Sequence, residues 1–497
     1  MLFSESAFLF IFLPLLIGIY FLLRGPLARL RNLLLLAFSL FFYAWGEKIF
    51  VLAMLASIAF NYVTGLWVDA EVRRGRGKLA LICSVFGNLA FLGVYKYADF
   101  FVNNWNLLTS TVGIDALKLT PPHIELPIGI SFFTFQAMSY VIDVYRRETP
   151  VNRNPLDIAL YVALFPQLIA GPIVRYTDVA AEIASRQITR DGFAEGIRRF
   201  VLGLGKKMIL ANSCAYVADH IFGSPGANIT GVPIEHLNAG LAWLAIVCYS
   251  LQIYFDFSGY SDMAIGLGLM FGFRFMENFN YPYISRSITE FWRRWHISLS
   301  TWFRDYLYIP LGGNRGSSRR TYFNLVIVFF LCGLWHGSSW TFVIWGMFHG
   351  SFLVFERMGL GNALAKLWRP LSHAYTLLII MAGWVFFRAD TVEQALAFLT
   401  AMAGFGTGAG EAYFASMYVD TWVLTAMVLG AVAATPILPA VTAAYRQAID
   451  TIRQPTRQFF AECAGQSMAM IVLCAIYVLA SLLVAAGSYN PFIYFRF

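Results

Sequence analysis

The chain of 497 residues is 59% apolar before its 40 glycines are counted, and 13% of it is charged. Soluble chains run near ~45–50% apolar with glycine included and ~25% charged, and a wetted surface needs more polar cover than this chain has. Disorder, a secreted disulfide scaffold and a soluble multi-domain enzyme are excluded, and the net charge of +8 suits loops beside anionic lipid rather than nucleic acid.

Residues 1–23 are apolar, with no basic start and no A-x-A-like cleavage site, and Arg24, Arg29 and Arg31 follow. A retained spanning helix that begins outside the cytoplasm is expected. Spans of about 17–25 residues, fewer where a helix is broken or buried, are expected at 7–23, 32–46, 49–68, 79–95, 126–145, 201–222, 237–256, 322–335, 338–355, 374–387, 421–441 and 467–488. Basic stretches lie at 24–31, 71–78, 186–207, 286–320, 357–369 and 446–457, whereas 223–236 and 403–420 contain no Lys or Arg. With the basic stretches inside, the twelve spans alternate and both termini lie outside. No repeat or long hydrophilic linker interrupts the chain, so one all-α polytopic membrane domain over 1–497 is expected. The six cysteines form no C-x-x-C pair and read as small core residues.

Two apolar runs do not fit as crossings. Counting 156–174 (broken by Pro166, Gly171 and Pro172) or 262–273 would turn the basic loops outward. Both are expected to be re-entrant or interfacial, which requires surrounding protein or a water-filled cavity. Overlapping the second run, QIYFDFSGYSDMA (252–264) carries Asp256 and Asp262, expected to pair structurally, and after it ENFNYPYISRS (277–287) places Asn278 and Asn280 in a turn.

ITEFWRRWHISLSTWFRDYLYIP (288–310) reads as a basic interfacial helix with Trp292, His296, Leu299 and Phe303 on one face. Phosphates of a cytoplasmic donor are expected to meet Arg293, Arg294 or Arg304. LCGLWHGSSWTFVIWGMFHG (331–350) holds His336 between two apolar segments with basic outer flanks. If both flanks are cytoplasmic, fourteen residues of helix carry His336 about 21 Å inward, a depth at which an ionisable group normally faces a cavity. Along a continuous helix His349 would lie about 20 Å from His336, so a structural role is expected for it. No P-loop, H-E-x-x-H, G-x-S-x-G or D-x-D is present.

The runs FDFSGYSDMAIGLGLMFGFRFMENFN, SITEFWRRWHISLSTWFRDYLYIPLGGNRG and LCGLWHG resemble the membrane-bound O-acyltransferase superfamily, nearest its bacterial alginate O-acetyltransferase branch. LPIGISFFTFQAMSYVIDVYR (126–146), FPQLIAGPI (165–173), GWVFFRAD (383–390) and PFIYFRF (491–497) extend the likeness over most of the chain. The resemblance implies that His336 is the catalytic histidine and that His296 is the second active-site residue. It also implies tilted helices around a central cavity in the bacterial inner membrane. The expected donor is acetyl-CoA, with no metal. The acetyl group is expected to pass to a periplasmic partner protein and finally to an exported polysaccharide, alginate or another glycan such as cellulose or peptidoglycan. Rival readings are a transporter or flippase, and a non-catalytic scaffold of an export complex.

Overall fold

The computed structural model describes residues 1–406, 408 and 412–493, so the last four residues of the closing motif, 494–497, lie outside the described residues. In chain order the helices include α1 (Phe8–Leu22), α2 (Arg31–Glu47), α3 (Phe50–Arg73), α4 (Gly77–Val112), α5 (Ile130–Arg146), α6 (Pro155–Ala163), α7 (Arg190–Gly205), α8 (Asn212–Phe222) and α9 (Ala239–Phe271). After them come α10 (Ile288–Arg294), α11 (Ile297–Phe303), α12 (Ser318–His336), α13 (Trp340–Phe355), α14 (Arg369–Arg388), α15 (Thr421–Ala433), α16 (Ile437–Asp450) and α17 (Pro455–Ala485). Among the described residues six helices are long and apolar enough to cross a membrane: Gly25–Glu47, which includes α2, and α3, α4, α9, α14 and α17. A seventh is counted if α15 and α16, bent by 61°, make one span. The protein is an all-α, multi-pass membrane protein. The sequence count of twelve included runs that fold as shorter helices: α5 has 17 residues and α13 has 16.

The centre is α9, with 78% of its most apolar stretch buried by protein; α17, with 11% buried, leaves its surface to lipid. Antiparallel α7 packs on α9 through glycines spaced by seven on both helices. A Cβ on Gly203 would sit 2.5 Å from the Gly259 carbonyl oxygen, and one on Gly266 would sit 2.6 Å from that of Gly196. Bare backbone is what permits this approach. Charges on the same seam neutralise one another. Asp262 takes Arg199 at 2.9 Å and Lys206 at 2.6 Å, and Asp256 takes the buried Lys207 at 2.9 Å. Asp256 also accepts the Ile493 amide at 2.9 Å, while Lys207 donates to the Pro491 carbonyl. The expected pairing of both aspartates is thus observed.

That pairing corrects one expectation. Residues 262–273 are no separate re-entrant segment: through Phe271 they continue α9, whose 33 residues extend about 50 Å, well beyond a hydrocarbon core of about 30 Å. With its carboxylates neutralised the helix has no reason to stop until Gly272, at φ 84°, ends it in a left-handed cap. The 156–174 run is broken at Leu164, and every residue from Leu160 to Val174 is buried. Side chains satisfy its irregular backbone: Ser39 Oγ accepts the Phe165 amide at 3.1 Å, and Gln167 Nε2 donates to the Tyr161 carbonyl at 2.7 Å.

Candidate active site

His336 is the last residue of α12, a helix opened by the Ser317 hydroxyl accepting the Arg320 amide. Its 19 residues carry His336 about 27 Å from the basic end. Extended Gly337 then turns the chain into α13. The hairpin closes on glycine: a Cβ on Gly346 would lie 2.3 Å from the Phe329 carbonyl oxygen and 3.2 Å from Gly333 Cα, and one on Gly337 would strike the Phe342 ring. The imidazole packs against Trp335, Trp345 and Phe387 with ring centres 4.9–5.1 Å apart, and 7% of the residue stays exposed.

The turn after His336 lines a cavity of about 690 Å³ with Lys96, Glu47, Glu125, Phe342 and Phe387. Four helices that end or begin at this cavity, α2, α3, α12 and α14, have their opposite ends in a basic stretch, and α13 leads from it back to the stretch at 357–369. The cavity therefore lies on the face away from the basic loops, which the positive-inside bias leads us to expect outside the cytoplasm.

The expected single helix over 288–310 is broken at His296, which takes a left-handed backbone (φ 45°, ψ 55°) between α10 and α11. For a residue with a side chain this conformation is costly and persists only when its surroundings enforce it. Asn278 supplies the enforcement. Its carbonyl accepts the Ile297 amide at 3.0 Å, its Oδ1 accepts the Ser298 amide at 3.2 Å and hydroxyl at 2.9 Å, and its Nδ2 donates to Ser261 on α9 at 3.1 Å. The break turns the His296 ring into the interior, 4.6 Å from Phe257, 6.0 Å from Trp335 and 6.5 Å from His336 between ring centres. It is 1% exposed, and neither ring nitrogen has a hydrogen-bond partner among the described residues. Asn278→Ala is expected to release this turn and lower acyl transfer by roughly 100-fold while the protein still inserts, checked by initial rates at matched membrane abundance.

His349 is fully buried, with both nitrogens unpartnered among the described residues. The continuous helix assumed between it and His336 does not exist, because the chain breaks at 337–339, yet Trp345 stands between the two rings, 5.0 and 5.3 Å from each. Gly383 makes room for the His349 ring; a Cβ there would lie 2.4 Å from Nε2.

Arg293 is exposed on α10. Arg294 pairs with Glu290 at 3.0 Å and donates to the Asn280 carbonyl at 3.1 Å. Arg304 pairs with Asp305 at 2.6 Å, and Asp305 also holds Arg175 at 2.7 Å. Burial works against the Asp305 carboxylate, but Arg304 and Arg175 hold its pKa below the ordinary value. This clasp is therefore kept at mildly acid pH and lost as the pH falls through that depressed pKa. Sequence reasoning missed three supporting groups. Asn278 was taken for a simple turn. Glu356 accepts the Ile288 amide at 2.6 Å and the Thr289 amide at 2.9 Å, fixing the start of α10. Arg146 and Arg175 both lie about 5 Å over the Tyr306 ring, whose hydroxyl donates to Asp143 at 2.8 Å. A carboxylate or arginine closing an apolar helix was the available signal for the last two.

Comparison with known proteins identifies the family. A profile of the membrane-bound O-acyltransferase family matches residues 129–379, just over half of the chain. The chain is 45% identical to the probable alginate O-acetylase AlgI of Azotobacter vinelandii and 43% identical to that of Pseudomonas aeruginosa, each over the full length of both proteins. A peptidoglycan O-acetyltransferase of Helicobacter pylori is 38% identical over 81% of this chain and 80% of its own. With its two interior histidines on adjoining elements and a match that runs from α5 into α14, the chain belongs to the membrane-bound O-acyltransferase family and is an acyl-transferring enzyme.

Proposed function

We propose that this enzyme takes acetyl groups from a cytoplasmic donor, acetyl-CoA, and delivers them across the bacterial inner membrane for O-acetylation of exported alginate. The observation that carries this reading is His336 at the tip of α12, 6.5 Å from His296, with its turn lining a cavity on the face away from the basic loops. The full-length likeness to two alginate O-acetylases supports alginate as the final acceptor. On this reading residues 1–497 act as one domain, the shorter apolar helices complete twelve crossings, and a periplasmic partner protein accepts the acetyl group on its way to the glycan.

In the proposed step His336 draws the proton from an acceptor hydroxyl as its oxygen attacks the acetyl carbonyl. A C–O bond forms, the C–S bond breaks, and the thiolate recovers the proton from the imidazolium, so donor and acceptor leave as free thiol and ester. A histidine suits both halves because its ordinary pKa lies near working pH. His296 orients the reacting groups or steadies the oxyanion. Arg293, Arg294 and Arg304 lie on the cytoplasmic side for donor phosphates; exposed Arg293 is the best placed, since Arg294 and Arg304 already hold carboxylates.

The test is the ester-bound acetyl content of exported polysaccharide from cells with and without the chain, resolved by glycan. Loss of acetyl from alginate alone is expected. Loss from peptidoglycan instead would move the acceptor to the class named for the Helicobacter pylori relative, and unchanged acetylation of every glycan would overturn the reading.

A further inference from the structure

We propose that Lys96, inside the spanning helix α4, is a positioning residue for acyl transfer: its ammonium locks the last turn of α12 and so sets His336 at the cavity. The inference rests on His336 being the base. Lys96 Nζ donates to the carbonyl oxygens of Trp335 at 2.5 Å and His336 at 3.0 Å, and to Ser131 Oγ on α5 at 3.4 Å. The adjacent Tyr97 hydroxyl donates to the Leu334 carbonyl. Three successive carbonyls at the end of α12 are thus met by two neighbouring side chains of α4. Such terminal carbonyls have no partner within their own helix and carry the negative end of its dipole.

A neutral donor would satisfy those oxygens. An ammonium in a membrane interior is costly and marks function far more often than scaffolding. Lys96 is buried, 7% exposed, and its three protons are directed at oxygens of α12 and α5. It lines the cavity, but with every proton engaged it acts on the reaction through His336, not by holding the acceptor. The nineteen residues from Gly77 place it about 29 Å along α4, level with His336 on α12.

The experiment replaces Lys96 in the full chain in cells that export the polysaccharide and reads ester-bound acetyl, membrane abundance and melting midpoint in detergent. Lys96→Met is expected to insert normally and lose roughly 100-fold in transfer rate, with Lys96→Arg restoring most of it. If Lys96→Met fails to insert, Lys96→Cys decides. An aminoethyl methanethiosulfonate, which rebuilds an ammonium on the sulfur, is expected to restore transfer where the uncharged methyl reagent does not; the unsubstituted protein takes both reagents as control. Transfer by Lys96→Met at the unsubstituted rate, or equal behaviour of the two reagents on Lys96→Cys, overturns the proposal. His336→Ala is run alongside: if it is inactive while Lys96→Met is active, only this inference fails, whereas an active His336→Ala removes the reading beneath it.

Discussion

Replacing His336 with alanine is expected to cut acetyl transfer by roughly 100- to 10,000-fold, the usual worth of a positioned general base, with little change in membrane abundance. Alanine leaves a void between Trp345 and Phe387, so His336→Gln is the companion variant: it fills most of the space and cannot take the proton. Both are expected to be inactive, and both should bind donor as the unsubstituted protein does, because the base works in the transition state and not in binding. His296→Ala is expected to lose less. Its ring lies farther from the cavity-lining turn, and its proposed part is orientation. Initial rates with labelled acetyl-CoA check all three; full turnover by either His336 variant removes the imidazole from the chemistry.

A methyl group on Gly346 is expected to do comparable damage by a different route. It would need to occupy space 2.3 Å from the Phe329 carbonyl oxygen and 3.2 Å from Gly333 Cα. Neither neighbour is a flexible side chain that can swing away, so α13 must move off α12. Overpacking of this kind costs about 1–3 kcal/mol. A displacement near 1 Å at the turn that carries His336 would lower the rate by about 100-fold. Gly346→Ala should therefore show a lowered melting midpoint in detergent together with lost transfer. Gly18→Ala is the control, since a Cβ there meets nothing within 4 Å. Equal melting midpoints for the two variants would show that the hairpin is not held by this contact.

Composition and apolar run length were enough to place this chain in a membrane, and the spacing of basic stretches gave its expected orientation. Desolvation of charge and peptide groups is so costly in hydrocarbon that apolar run length and Lys/Arg position act residue by residue. The same logic located His336 from its basic flanks alone, and the structure sets it at a turn lining a cavity on the opposite face. Where the local pattern was interrupted by a long-range partner, it misled. Asp256 and Asp262 looked like the end of a span, but Lys207, Arg199 and Lys206 neutralise them and α9 runs on. Helical periodicity through Trp292, His296, Leu299 and Phe303 grouped residues that are indeed buried, yet gave no sign of the left-handed break at His296 that Asn278 enforces.

What the linear order decided by itself was membrane residence and the family, because each depends on local composition or on contiguous motifs. Only the tertiary structure decided that His296 and His336 approach within 6.5 Å, that Trp345 separates His336 from His349, and that Lys96 reaches across 240 residues of chain to the His336 carbonyl. Those relations depend on how closely helices pack. Glycine contacts and buried polar pairs set that distance, and their partners are remote in sequence.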